Sequence, residues 1–360
     1  MTLFASITLG FTLVLVICCG EKLVRLAISP IAEETHAVAS LMTQLKVDGQ
    51  DVYALVDAGS PYTFFVSKHW YEGTRSGDCK EIVSKCYECR PEACQEGPVR
   101  SIRYSDKTTV TMFEHSGEIN FGRATARGIK FYLMTECNRV PFASLGLSPP
   151  APSYGPYVPT IQQLLDRPKS QRPIKRYAFS VYLSGGEQPT GELILGGQDK
   201  SKYRGALEYV TIVDKAFPRI VLSNIEIGST SYAIKGNNEA SIDTGANTLT
   251  MPKSFQAVVM HSLRTAGERP VNITEASGMY RISCGDAQYL PSISFLMRGS
   301  KGKLLSLRVK PSSYVSEETE GRCILAILFD GPWTIGLPAF IGRYFLYDWD
   351  KSRIGIAKVK

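Results

Sequence analysis

Two stretches of the chain end an apolar run in an aspartate and follow it with a small residue and a glycine: YALVDAGS at 53–60 and ASIDTGA at 240–246. One such match would carry no weight, since average residue usage yields roughly 0.3 loose matches to Asp-[Ala/Ser/Thr]-Gly in a chain of this length. Two, each closing a run of strand-forming residues, point to paired loops. Glycine after a strand-end aspartate lets the backbone turn tightly and approach a twin loop, because it accepts conformations that other residues refuse. Two carboxylates held about 3 Å apart cannot both ionise, so they keep one proton between them. One then serves as a base toward a water molecule and the other as an acid toward a carbonyl oxygen. The chemistry expected of Asp57 and Asp243 is hydrolysis with no cofactor, no metal and no covalent intermediate.

Such loops need strands to carry them. Past residue 36 the sequence reads as β-structure nearly throughout, in short runs of Val, Ile, Leu, Tyr and Phe broken by Gly, Pro, Asn or Asp. Helices are expected only at TIQQLLDR (160–167) and at PKSFQAVVMHSLRTAG (252–267), where Pro252 opens the first turn and Gly267 closes the last. The Pro-rich stretch 148–159 is a surface loop. Each Asp motif is followed later by an apolar residue and a glycine, Leu145-Gly146 and Ile335-Gly336, which marks a duplicated half. The expected fold is all-β and bilobed, with an N-terminal lobe over 37–205 and a C-terminal lobe over 206–360, the two Asp loops meeting at the seam.

The chain has 360 residues, 44% of them apolar and 21% charged, which excludes collagen, a coiled coil and a wholly disordered chain. Its 41 Lys+Arg against 34 Asp+Glu give +7, but the basic residues form no block that would track phosphates, so nucleic acid is not an expected partner. Residues 2–20 carry no charge, and their strongly apolar part, 3–17, falls short of the ~20 residues that span a bilayer. Residues 1–20 are therefore read as a cleaved export signal with no stable membrane anchor. A short signal anchor is the alternative, since a basic start is missing and Cys18-Cys19 stands where small residues are expected.

Beyond the signal lie seven cysteines: Cys79, Cys86, Cys89, Cys94, Cys137, Cys284 and Cys323. In the secretory pathway these are disulfide formers, with one left over. Zinc at the 79–94 cluster is the weaker reading, because Cys86 and Cys89 have no second ligand pair at metal spacing. Asn272 opens the single Asn-x-Ser/Thr sequon. His36, His69, His115 and His261 stand apart, in no metal spacing.

The chain resembles the pepsin-like aspartic proteases. Asp57-Ala58-Gly59-Ser60 and Asp243-Thr244-Gly245-Ala246 take the places of the two family motifs, and LGLSPP (145–150), GELILGGQDKSKYRGALEYV (191–210), ISCGDAQYLPSISF (282–295) and WTIGLPAFIGRYFLYDWDKSRIGIA (333–357) follow in family order. The resemblance implies a cleft holding an extended polypeptide, a water between Asp57 and Asp243, sensitivity to pepstatin-like inhibitors, a monomer, and a Cys284–Cys323 disulfide. It also implies a flap hairpin with Tyr104 and Ser105 over the cleft, a carboxylate bond from Ser60, and substrate contacts at Gly59, Ser60, Gly245 and Ala246. An extracellular, lysosomal or vacuolar destination follows.

Four departures bear on activity. Ala58 lacks the hydroxyl that the family uses to bridge the loops. Ala246 and Leu337 replace polar neighbours of the second carboxylate, which should raise its pKa and make the pH optimum less acidic than pepsin's. Ser105-Asp106-Lys107 replaces a glycine-rich flap tip, and Phe64 replaces the tryptophan that supports the flap tyrosine. Residues 21–36 are too few for a long basic prosegment and read as a vestigial propeptide, with Lys22 or Arg25 as the only cations for a reduced self-inhibition. The sequence thus leaves an alternative open: a catalytically silent pepsin-like protein that binds or inhibits peptides.

Overall fold

A computed structural model describes residues 22–32, 38–75, 77–152, 155–214 and 216–360. The expected export signal lies outside them. In the first half the strands are β1 (Val24–Ile31), β2 (Ser40–Val47), β3 (Gln50–Asp57), β4 (Phe64–Val66), β5 (Val99–Arg103), β6 (Thr109–Phe121), β7 (Ala124–Cys137), β8 (Ala143–Gly146), β9 (Ala178–Leu183), β10 (Gly191–Leu195) and β11 (Tyr203–Thr211). The second half adds β12 (Arg219–Ile227), β13 (Thr230–Ala233), β14 (Glu239–Ile242), β15 (Leu249–Thr250), β16 (Thr274–Ala276), β17 (Met279–Ser283), β18 (Ile293–Arg298), β19 (Leu304–Val309), β20 (Val315–Thr319), β21 (Arg322–Leu325), β22 (Ile327–Leu328), β23 (Trp333–Ile335), β24 (Arg343–Asp348) and β25 (Arg353–Val359).

A 13-stranded sheet runs in the order β11-β25-β24-β9-β10-β1-β2-β3-β8-β4-β7-β6-β5, so the last two strands of the chain are built into the sheet of the first half. The second half supplies an eight-stranded sheet and a four-stranded one, β16-β17-β21-β20. Side-chain alternation produces these strands: β1 buries Val24, Leu26 and Ile28 and exposes Arg25 and Ala27, while β19 buries Leu305, Leu307 and Val309 and exposes Leu304, Ser306 and Arg308. The buried faces merge into one large core spanning both halves.

The expected helices appear, slightly shortened. Thr160–Leu165 buries Thr160, Ile161 and Leu164 along one face. The second opens as a 3-10 turn, Lys253–Phe255, and continues as an α-helix over Gln256–Thr265 that buries Val259, Met260 and Leu263. Gly267 is needed just past its end because a side chain there would strike the Tyr289 carbonyl.

Residues 21–36, set apart in the sequence as a short N-terminal segment, instead contribute β1 to the middle of the large sheet, where it pairs antiparallel with β10 and β2. Neither candidate cation there reaches the aspartates. Arg25 pairs with Glu192 at 3.0 Å and Asp199 at 2.7 Å, and Lys22 donates to the Arg172 carbonyl. Residue alternation marks β1 as a half-buried strand; its partner β10, more than 160 residues onward, is beyond local reading.

The disulfides are Cys79–Cys86, Cys89–Cys94 and Cys284–Cys323, leaving Cys137 as a buried free thiol. They fit the secretory pathway. No helix among the described residues is long and apolar enough to cross a membrane.

Asp348, at the end of β24, anchors the sheet electrostatically: its buried carboxylate takes Arg176 at 2.5 Å and Arg353 at 3.2 Å. Asp348→Ala leaves Arg353 without its carboxylate and Arg176 with only the longer contact to Asp350 at 3.4 Å, and is expected to destabilise the fold by about 2 kcal/mol, below the full loss for a fully buried pair because both arginines keep some water. Denaturant unfolding of the variant measures it.

Candidate active site

Asp57 closes β3, and β3 runs parallel to β8 with Asp57 opposite Gly146. Asp243 follows β14, which runs parallel to β23 with Ile242 opposite Ile335. The two loops are thus built the same way, each aspartate leaving a strand whose parallel neighbour ends in a glycine, Gly146, or is followed at once by one, Gly336. Those glycines, Gly146 and Gly336, explain the repeat seen in the sequence. A side chain at Gly146 would collide with the Pro61–Tyr62 backbone, and one at Gly336 with the carbonyls of Thr248 and Ala246. Leu147 N–H donates to the Asp57 carbonyl at 2.9 Å and Leu337 N–H to the Ala246 carbonyl at 2.8 Å, locking each loop to the strand behind it. Tyr347, fully buried, adds a bond from its hydroxyl to the Ile242 carbonyl at 2.9 Å.

The loops interlock through their glycines. A Cβ on Gly59 would land on the Asp243 carboxylate, and one on Gly245 would sit 2.5 Å from Asp57 Oδ1 and 3.3 Å from Asp243 Oδ1. Both carboxylates therefore border the small space beside Gly245, which only a residue without a side chain leaves open. Each aspartate also accepts the N–H of the glycine two residues on, Gly59 to Asp57 Oδ1 and Gly245 to Asp243 Oδ1, both at 2.9 Å. Across the seam, Ala58 N–H donates to Thr244 Oγ1 at 3.0 Å. Ala58 has no hydroxyl to return the bond, so one bridge stands where two could.

Burial dominates the electrostatics. Asp57, only 4% exposed, is pushed well above the ordinary carboxylate range by desolvation and then by the Asp243 charge, against opposing bonds from Gly59, Ser144 and the Ser60 backbone. Asp243 keeps some solvent contact yet is raised to about 6, again by desolvation, with only the backbone N–H groups of Gly245 and Gly59 opposing. Among the described residues no side-chain hydroxyl bonds Asp243, in line with Ala246 and Leu337 standing beside it. Asp57 is the less exposed of the two and feels the Asp243 charge, which puts the shared proton mainly on Asp57.

Several residues act differently from the sequence expectation. Ser60 meets Asp57 through its backbone N–H, while its hydroxyl accepts from Tyr62 N–H at 3.2 Å. Ser144, unmarked by any motif, is the hydroxyl turned to Asp57 Oδ2, at a long 3.5 Å. Its one signal was its place just before Leu145-Gly146. Tyr104 sits at the turn of the β5–β6 hairpin, and its hydroxyl is buried without a hydrogen-bond partner among the described residues, facing Ser60 and the aspartates. Burial, then the Asp57 charge, raises its pKa well above the ordinary value, so it stays a donor. Phe64 does not touch this ring directly; Phe142 stands between, 5.3 Å from Phe64 and 6.0 Å from Tyr104.

Ser105 is exposed at the hairpin tip, and Lys107 takes a left-handed conformation, φ 71°. Asp106 accepts from the N–H and hydroxyl of Thr108, Arg139 donates to the Asp106 carbonyl at 2.7 Å, and Asn138 donates to the Lys107 carbonyl at 3.2 Å. The tip is tied down by residues 138–139. Sequence reading found the altered tip but not its partners, which lie 33 residues away.

The profile of the eukaryotic aspartyl protease family matches residues 44–359, and the chain belongs to that family. Among curated relatives, Cathepsin D of Homo sapiens is 32% identical over 227 residues, covering 59% of this chain and 51% of that protein. Cathepsin D of Clupea harengus is 31% identical over 211 residues, 55% and 50% of the two chains, and Cathepsin E-B of Xenopus laevis 28% over 225 residues, 60% and 52%. The matches span about half the length of these relatives.

Two outcomes test the site. Gly245→Ala forces a methyl into the space beside Asp57 Oδ1 and should cut any hydrolytic activity at least about a hundredfold, as expected when reacting groups are displaced by about 1 Å. The raised pKa of Asp243 means that the native state holds a proton that the unfolded chain has already released between pH 3.8 and about 6. The stability linked to that proton is full below the lower value and lost as pH rises through the upper one. Asp243→Asn removes the linkage, so melting temperatures of variant and parent should diverge in the variant's favour between pH 4 and pH 7.

Proposed function

We propose that the chain is a monomeric aspartic endopeptidase that hydrolyses an extended polypeptide between bulky apolar residues. The observation that carries this reading is the pair of carboxylates brought face to face by Gly59 and Gly245, one above the other in proton affinity. Asp243 takes a proton from a water as its oxygen bonds to the peptide carbonyl carbon, and Asp57 gives its proton to the carbonyl oxygen. The resulting diol collapses when Asp243 returns its proton to the leaving nitrogen and a diol hydroxyl restores the proton on Asp57. This is general acid–base catalysis with the two carboxylates exchanging roles. Gly59, Ser60, Gly245 and Ala246 would line the floor under the substrate, with Tyr104 and Ser105 above it and main-chain hydrogen bonds giving most of the grip.

A second reading, a silent peptide-binding or inhibitory protein, draws on the single Ala58–Thr244 bridge and the tethered hairpin tip. One assay separates the two. Cleavage of a denatured protein that is blocked by pepstatin and abolished in Asp243→Ala supports the enzyme; tight peptide binding with no turnover in the parent chain supports the silent form.

The pH profile gives a further test. Hydrolysis needs the singly protonated pair, which is lost to full protonation on the acid side and to full ionisation on the alkaline side. Both aspartates are raised, so the whole window moves upward. Cleavage should be strong near pH 6 and weak at pH 3; a maximum near pH 2 would contradict the assignment.

A further inference from the structure

Three basic residues stand in one transverse row at the end of the 13-stranded sheet. β11 and β25 place Arg204 opposite Lys358, and β25 and β24 place Lys358 opposite Arg343. Residues directly opposite in antiparallel strands project from one face, so the three cations are neighbours about 4.8 Å apart from strand to strand. Arg343 extends the row to the second half of the molecule by donating to the Arg308 carbonyl at 3.3 Å. That contact brings the exposed Arg308 and Lys310 of the β19 edge to the same corner, and Lys360 continues the same face of β25 past Lys358.

Several cations in or beside this sheet are neutralised: Arg25 by Glu192 and Asp199, Lys202 by Glu192, and Arg176 and Arg353 by Asp348. The six residues of the corner form no ion pair among the described residues. The nearest carboxylate by register is Glu208, opposite Ile356 and separated from Arg204 by a bulge. Like charges directly opposite one another oppose folding. Arg343 is in addition half-buried, and dehydration lowers its pKa with no anion to offset it. No side-chain carboxylate pairs with this row among the described residues.

We propose that the corner binds a linear sulfated polysaccharide, whose repeated anions supply the missing counter-charge. Cations spaced regularly across strands suit a polyanion chain. Among the exposed large apolar side chains only Leu304 shares a strand face with a residue of the corner, Arg308 on β19, and one leucine is too small an apolar anchor for a bilayer. No exposed aromatic residue interleaves with the cations to stack bases, since Tyr203 and Tyr344 beside the row are buried. Disulfides put the chain on the secretory route, where such polysaccharides are met.

Heparin serves as the probe, with the full chain. The parent should be retained at moderate salt, with affinity falling linearly on a log–log salt plot. Arg204→Ser/Arg308→Ser/Lys358→Ser should weaken binding on the order of tenfold or more and flatten that slope. A control carrying Lys80→Ser/Arg123→Ser/Lys169→Ser, with the same net charge, should bind as the parent does. Thermal melts identify any variant that fails to fold, in which case charge-preserving Arg204→Lys/Arg308→Lys replaces it and should retain heparin. Equal weakening by the control set overturns the proposal, as does tighter binding to single-stranded DNA or to phosphatidylserine vesicles than to heparin. None of these residues touches the aspartate pair, so the result is independent of peptidase activity.

Discussion

Two carboxylates in one poorly hydrated seam cannot both be charged, and the rest of the molecule is arranged around that constraint. Desolvation raises both and mutual repulsion adds to it, so the pair retains a proton where isolated aspartates would have lost theirs. Holding them so close is unfavourable above the acid range, and it persists because the surrounding structure over-determines the position of each loop. Apart from the buried Tyr347 hydroxyl behind Ile242, the supports found there are backbone contacts or small residues. Gly146 and Gly336 let the loops settle onto the strands beneath, while Gly59 and Gly245 let them meet.

The departures act on this arrangement by degrees. Losing the hydroxyl at position 58 removes one hydrogen bond, worth about 1 kcal/mol net, and leaves the Ala58–Thr244 bond to hold the seam. The hairpin above the site is altered in the opposite sense, since Asp106, Asn138 and Arg139 fasten a tip that glycines would leave free. A looser floor and a stiffer roof together imply that substrate entry depends more on opening the hairpin than on rearranging the aspartates.

The paired aspartate loops were legible in the sequence because their signals are local. Asp57-Ala58-Gly59 and Asp243-Thr244-Gly245 each announce a strand end and a tight approach, and the helix at 256–265 follows from its apolar spacing. Cys284–Cys323 came only through the family resemblance. The cysteine pairing at 79–94 stayed open, since several short loops satisfy the same four residues and the choice depends on how the segment lies against Ser67 and Tyr87. Ser144 beside Asp57 and the row Arg204–Lys358–Arg343 needed strand register, which residue spacing does not specify. That Val24–Ile31 forms a strand between β10 and β2 was hidden for a related reason, since one of its two partners lies more than 160 residues away.

That strand constrains how the protein can be trimmed. Lying between β10 and β2, β1 satisfies hydrogen bonds on both sides at the centre of the sheet. A cut beyond Ile31 that released it would open two raw edges within the fold's largest sheet, inviting self-association. Cleavage ahead of Val24 leaves that sheet intact, so any maturation that preserves this architecture stops short of the eight residues that a prosegment would have surrendered.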